Sequence, residues 1–396
     1  MRIGFLFNHD QVHQVAHALP IALAMRRLSP TTHVVVATTN PALTAEVHRL
    51  AGPAVDEIEI VELSLRRVST RLLARGLEWA LPIRKIGMYR DNLDLFGTLD
   101  ALVVTEKTSL ILKTRYGLNL PIIHTRHGAG DRAIGFNKAS AGFDHVLVSG
   151  PKIRRRLIDE AGVAPDRISM VGYAKFDLLG QSRPRLPMQD NGKPTVLYNP
   201  HPSPHLSSWY VHGRAVLEHF LRDDRFNLIF APHVMLFHRP FVVTIDKLRI
   251  DRPGRIATRF SEAPNIHIDL GSAASTDMSY TLTADIYLGD VSSQIYEFLY
   301  RPRPCLFLNS HGVDWRSDPN YAHWAAGPVI GDPAHLEAAL DWAMISHSRY
   351  AAIQRRLFDD SVDLTPEPSA VRAALAILDR LGAAVTVPET HVPIAV

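Results

Sequence analysis

Two stretches far apart in the chain hold residue types that move protons and bind anions. The first is His124-Thr125-Arg126-His127-Gly128-Ala129-Gly130-Asp131-Arg132; the second runs from 285 to 297 and contains Gly289-Asp290-Val291-Ser292-Ser293 and Glu297. Gly128 and Gly130 let the backbone approach a substrate closely and leave the His127 imidazole uncrowded. A histidine near its neutral form accepts a proton from an attacking hydroxyl. A histidine in a polar loop also serves simply to bond its own turn, and that alternative stays open for His127. In the second stretch an apolar strand runs into a hydroxyl pair that opens a helix. Backbone N–H groups and the Ser292 and Ser293 hydroxyls would there point at a phosphate. Glu297, one turn on, is placed to take a nucleotide ribose, with an ordinary serine cap on a packed helix as the alternative. The pairing of the stretches points to transfer of a nucleotide-activated group.

Other polar clusters follow strand-like runs. Asn8-His9-Asp10 with His13 follows the first strand, and Asn199-Pro200-His201-Pro202-Ser203 follows the strand at 195–199. Pro232-His233 follows the strand at 226–231. Ligands in open parallel sheets bind beyond the carboxyl ends of strands, so each cluster stands where a substrate would. His205, Ser207 and Ser208 extend the His201 loop, although structural loop chemistry explains His205 equally well. No histidine pair has HExxH or comparable metal-ligand spacing with a carboxylate, so neither metal nor cofactor is expected.

Alternating elements must position these residues. Strands are expected at 2–7, 33–37, 99–105, 121–125 and 146–149, with helices at 11–28, 42–50, 108–116 and 152–161 between them or after them. Residues 182–194 are polar, proline-rich and aperiodic, which marks a linker. A second series follows: strands at 195–199, 226–231, 266–268, 286–289 and 305–308, and helices at 209–221, 275–282 and 293–299. The expected fold is α/β: two parallel-sheet, Rossmann-like domains facing across a cleft, residues 1–181 and 195–382, with a tail at 383–396. Helices near 335–345, 348–357 and 369–381 close the chain, the last free to cross back onto the first half.

Bulk properties agree. A chain of 396 residues exceeds the usual size of one core, and 46% apolar with 21% charged residues fits a globular protein. Lys and Arg number 43 against 40 Asp and Glu, an excess too slight for nucleic-acid binding. The single cysteine, Cys305, sits in an apolar run and is expected to be a buried thiol. The N-terminus lacks a signal-peptide core, and no run is long enough to span a bilayer, so a cytosolic protein is expected. Residues 65–90 carry Arg66, Arg67, Arg71, Arg75, Arg84, Lys85 and Arg90 against Glu78 alone. This stretch would either contact the inner face of the membrane or hold an anionic acceptor, or else pack as a solvated helix.

With these motifs placed, the chain resembles the CDP-glycerol glycerophosphotransferases of teichoic-acid and capsule synthesis, a branch of the two-Rossmann-domain GT-B glycosyltransferases. The resemblance rests on His127-Gly128, Gly172-Tyr-Ala-Lys-Phe-Asp177, Pro232-His233, Asp290-Val-Ser-Ser293, Tyr296-Glu297-Phe298 and Pro304-Cys-Leu-Phe-Leu308 with Asp314 and Tyr321. It implies that His127 is the catalytic base, that His233 contacts the donor pyrophosphate, and that Ser292 and Ser293 bind phosphate oxygens. The chain departs from the family pattern at Arg126, at the Asn-Pro-His-Pro loop and at Val291.

The donor is therefore expected among Gly128, Asn199, His201, Ser203, Asp290, Ser292, Ser293 and Glu297. The acceptor is expected at His9, Asp10, His13, Arg126 and Arg132, with a glycan or lipid-linked molecule as partner. Two alternatives keep the same fold: a UDP-sugar 2-epimerase, which needs extra carboxylates, and a nucleotide- or glycan-binding protein without turnover.

Overall fold

The computed structural model describes residues 1–9, 12–67, 83–126, 128–179, 185–244 and 249–386. The central strand runs of the first half are buried along nearly their whole length, as parallel strands covered on both faces must be, while the two outermost are only partly buried. They are β1 (Arg2–Phe7), β2 (His33–Thr38), β3 (Glu59–Glu62), β4 (Ala101–Val104), β5 (Ile122–Thr125), β6 (His145–Val148) and β7 (Ile168–Met170). They form one parallel sheet in the order β3-β2-β1-β4-β5-β6-β7. The order reverses between β1 and β4, which places a crevice at their carboxyl ends.

The second half repeats the scheme. Strands β8 (Thr195–Asn199), β9 (Asn227–Phe230), β12 (Ile266–Ile268), β13 (Ile286–Gly289), β14 (Cys305–Leu308) and β15 (Val329–Ile330) pair in parallel in the order β12-β9-β8-β13-β14-β15. A two-stranded antiparallel ribbon, β10 (Val242–Thr244) with β11 (Arg249–Asp251), lies outside that sheet. Here the reversal falls between β8 and β13. Cys305 is buried in β14, and burial raises its thiol pKa.

The chain divides into two compact units. Residues 1–128, 136–181 and 362–396 make the first, and 129–135 with 182–361 make the second. Two segments thus leave the unit that chain order would give them. The helix Ser369–Arg380 crosses back and packs its Ala370, Ala373, Ala374, Ile377 and Leu378 against the helix Val15–Leu28 in the first unit's core. The motif 172–177 receives it. Gly172 has φ +80, and a Cβ there would lie 2.4 Å from Ser369 Oγ, so only glycine fits. Asp177 caps the helix, accepting the Ser369 and Ala370 N–H groups at 2.9 and 2.6 Å.

Local differences from the sequence expectation have physical causes. The helix expected at 209–221 begins as a wide π turn, Trp209–Gly213, before the α-helix Arg214–Arg222. The helix expected at 293–299 is a single turn, Ile295–Phe298. Asp290 takes the Val291 N–H at 2.6 Å and Ser292 Oγ takes the Gln294 N–H at 3.3 Å, which holds 290–294 in a turn.

Candidate functional site

Residues 129–132, the end of the first stretch that opened the sequence analysis, join the second stretch in the second unit. Asp131 sends its carboxylate into the core, where it accepts from Tyr296 Oη at 2.6 and 2.8 Å and from His323 Nδ1 at 2.8 Å. Gly130 lies against the hydroxyl turn: a Cβ built on it would be 3.0 Å from Ser293 Cβ. Arg132 Nη1 stands 2.8 Å from His201 Nε2. His127 lies outside the described residues, as does Asp10. Gly128 has φ +86, a conformation that favours glycine.

Asp290 is the keystone beneath this loop. It is 1% exposed. Its oxygens accept the N–H groups of His201 at 2.9 Å and Ser208 at 2.5 Å and the Ser208 hydroxyl at 2.8 Å. Its main-chain carbonyl accepts Trp324 Nε1 at 2.8 Å and faces His323 Nε2 at 2.9 Å. Burial raises the Asp290 pKa, while these donors oppose the shift. Expected among the donor-contacting residues, Asp290 is turned inward and braces the loops after β8 and β13. Asn199 is also inward, donating to Ala231 O at 2.6 Å, and Glu297 is buried in the turn after β13.

Basic and imidazole side chains stand around this brace. His201 is buried, and its pKa lies well below the ordinary value because of burial first, then the charges of Arg132, His233 and His205. The ring is therefore neutral. Ser203 N–H points to its Nδ1 at 2.9 Å. Arg132 Nη1, which can only donate, stands 2.8 Å from its Nε2, so both ring nitrogens meet a donor. The His233 ring is 6.1 Å from that of His201, and its Nδ1 accepts the Met235 N–H at 3.2 Å, which leaves Nε2 as the donor edge. Ser292 is buried at the same strand end and Ser293 is exposed. Arg132, expected on the acceptor side, lies beside His201, expected on the donor side.

The first unit has its own polar cluster at the ends of β1, β4 and β5. His9 Nε2 is 3.3 Å from Glu106 and sits edge-on to His13 at 5.2 Å. Glu106 also takes Lys85 Nζ at 2.8 Å. Arg126 lies over the Phe136 ring at 4.6 Å, with Arg156 on that ring at 4.0 Å. Burial and Arg156 lower Arg126 to about 10, and burial with Arg126 lowers Lys107 to about 8.

Of the basic residues between 65 and 90, Arg66, Arg67 and Lys85 pair with Asp94, Asp91 and Glu106. Arg71, Arg75 and Trp79 lie outside the described residues. Among the described residues no helix is long and apolar enough to cross a membrane. Among them, too, no group of three or more His, Cys, Asp or Glu is arranged to hold a metal ion.

Sequence reasoning did not find the clasp of Asp131 with Tyr296 and His323. His323 and Trp324 lie in an irregular 3-10 stretch, Pro319–Ala326, which has no periodic pattern to flag it. The one available signal was the carboxylate of Asp131 within a glycine-rich loop.

No protein-family model matches the chain, and no curated protein matches it in sequence. Solved structures match over 96% of its length. UDP-GlcNAc 2-epimerase from Neisseria meningitidis, bound to UDP-GlcNAc, aligns with TM-score 0.60 and 12% identity over 99% of that chain. The S. aureus MnaA–UDP co-structure gives 0.59 and 13% over 95% of that chain. The wall teichoic acid polymerase TagF with CDPG gives 0.58 and 15% over 88% of that chain. At such identities the likeness establishes the fold: two parallel-sheet α/β domains of the GT-B kind.

Proposed function

We propose that this chain is a transferase that moves a glycosyl or glycerol-phosphate unit from a nucleotide-diphosphate donor to a hydroxyl of a cell-surface polymer or its lipid-linked precursor. The observation that carries the reading is the gathering of Arg132 Nη1, 2.8 Å from His201 Nε2, with the His233 ring 6.1 Å from that of His201. The Arg132 guanidinium with the rings of His201 and His233, at the carboxyl ends of β8, β9 and β13, suits phosphate oxygens. They are preorganised by Asp131 and Asp290, so no reorganisation is needed as charge grows on the leaving phosphate. His127, at the start of the same loop, would take the acceptor proton. The acceptor oxygen forms the new bond as the donor's bond to the nucleotide breaks. Attack at phosphorus of CDP-glycerol releases CMP; attack at a sugar carbon releases a nucleoside diphosphate. The first unit's cluster of His9, His13 and Arg126 would hold the acceptor, and the chain would work in the cytosol or at the inner membrane face.

The epimerase structures align as well as TagF does, so an epimerase is the second reading. Against it, Asp131 and Asp290 are committed to protein donors rather than available to shuttle a carbon-bound proton. Incubating the full chain with CDP-glycerol or UDP-sugars and resolving the nucleotide products decides between them. A transferase releases CMP or a nucleoside diphosphate in proportion to acceptor; an epimerase interconverts the UDP-sugar with no acceptor present.

A further inference from the structure

The second unit contains a cavity of about 340 Å³ whose lining includes none of Arg132, His201 or His233. That volume falls in the range of small-ligand sites. Four guanidinium groups, Arg214, Arg252, Arg255 and Arg259, line it, and no carboxylate does. Arg214 and Arg259 both turn to one carboxylate, Glu218. Arg252 and Arg255 are exposed and make no ion pair or side-chain hydrogen bond among the described residues. Glu218 answers Arg214 and Arg259, while Arg252 and Arg255 add like charge that an entering anion would balance.

The wall is built rather than incidental. Trp209, Tyr210 and Phe260 form its aromatic part. Trp209 opens the π turn, a deviation that recurs at functional sites. A Cβ on Gly213 would fall 2.1 Å from Trp209 Cε3, so glycine at this position is what seats the indole. Trp209 Nε1 donates to Pro253 O at 2.8 Å, which ties the arginine-bearing segment to the aromatic wall. The ring also stacks on Phe230 at 5.0 Å and 28°.

We propose that this cavity is a second ligand site, one that binds a phosphorylated sugar. Guanidinium groups take phosphate oxygens in pairs, phosphate carries about two charges to match Arg252 and Arg255, and the half-buried Tyr210 ring is the wall's surface for the apolar C–H face of a pyranose, since Arg259 lies over Phe260 at 4.9 Å and Trp209 stacks on Phe230. The site stands apart from the donor site and does not depend on the reading given for it.

Calorimetric titration of the full chain with glucose 1-phosphate tests this, with glucose, inorganic phosphate and sulfate as companions. Saturable binding is expected for glucose 1-phosphate, at least about tenfold tighter than for the other three. The double variant Arg252→Gln/Arg255→Gln should keep the wild-type melting temperature and bind about tenfold more weakly, the loss that charge-assisted hydrogen bonds imply. Arg132→Gln should leave this affinity unchanged. No binding, or equal affinity in the double variant, overturns the proposal. So does sulfate or phosphate binding as tightly as the sugar phosphate, which would mark a bare charge effect. Loss in Arg132→Gln instead would move the ligand to the donor site and also overturn it.

Discussion

Asp131 and His323, 192 positions apart, are joined by a 2.8 Å bond between a carboxylate oxygen and Nδ1, with both side chains buried. The other ring nitrogen meets the main-chain oxygen of Asp290 at 2.9 Å, so the imidazole is held at both ends. Through this clasp a loop that leaves β5 becomes part of the unit built on β8 to β15.

Breaking the clasp should be costly. Asp131→Ala leaves Tyr296 Oη and His323 Nδ1 buried without that acceptor, a loss on the order of 3 kcal/mol. Because both residues share one bond, Asp131→Ala and His323→Ala should not add: the double variant should fall short of the sum by more than about 0.5 kcal/mol. Urea unfolding of the four proteins measures this, and additive losses would show that the two side chains act independently.

Acid should destabilise the fold before the carboxylates titrate. His201, His145, His219 and His267 all have pKa values below the ordinary 6.5, in each case chiefly through burial. Below pH 6.5 the unfolded chain binds protons that the folded chain refuses, so stability rises with pH through the window between the folded and unfolded values. The urea midpoint should therefore drop between pH 7.5 and pH 5.5. A midpoint that holds steady or climbs on acidification would show these rings to be as easily charged in the fold as outside it.

Gly213 gives a test of sign. Replacing a helical glycine by alanine ordinarily stabilises by up to about 1 kcal/mol. Here the new methyl would meet the Trp209 ring at 2.1 Å, so Gly213→Ala should instead destabilise, by about 1–3 kcal/mol as overpacking does. Thermal unfolding with tryptophan fluorescence reports both the loss and the displaced indole; a gain in stability would mean that the ring is free to move.

The two parallel sheets were legible because their central strands are unbroken apolar runs that parallel burial demands, as in β1, β8 and β13. The missed strands were short and mixed in character: Glu-Ile-Val-Glu in β3, Ile-Ser-Met in β7 and two residues in β15. The candidate site was legible as a set of polar loops at strand ends, and His201, His233 and Arg132 do gather there. What the sequence does not encode locally is the direction of each side chain. Asp290 and Asn199 follow their strands as a ligand contact would, yet point inward because backbone N–H and C=O groups left by the irregular loops need partners. The Asp131 clasp was invisible for a related reason: no local period links residues 192 positions apart.

The most direct test of the account is whether Arg132 and His201 bind the phosphates of a nucleotide. Equilibrium affinities for CDP, UDP and the corresponding nucleosides should be measured for the wild type, Arg132→Gln and His201→Gln. The account predicts that each substitution weakens the favoured diphosphate by about tenfold or more and leaves its nucleoside unaffected. A diphosphate affinity that is the same in all three proteins would contradict it.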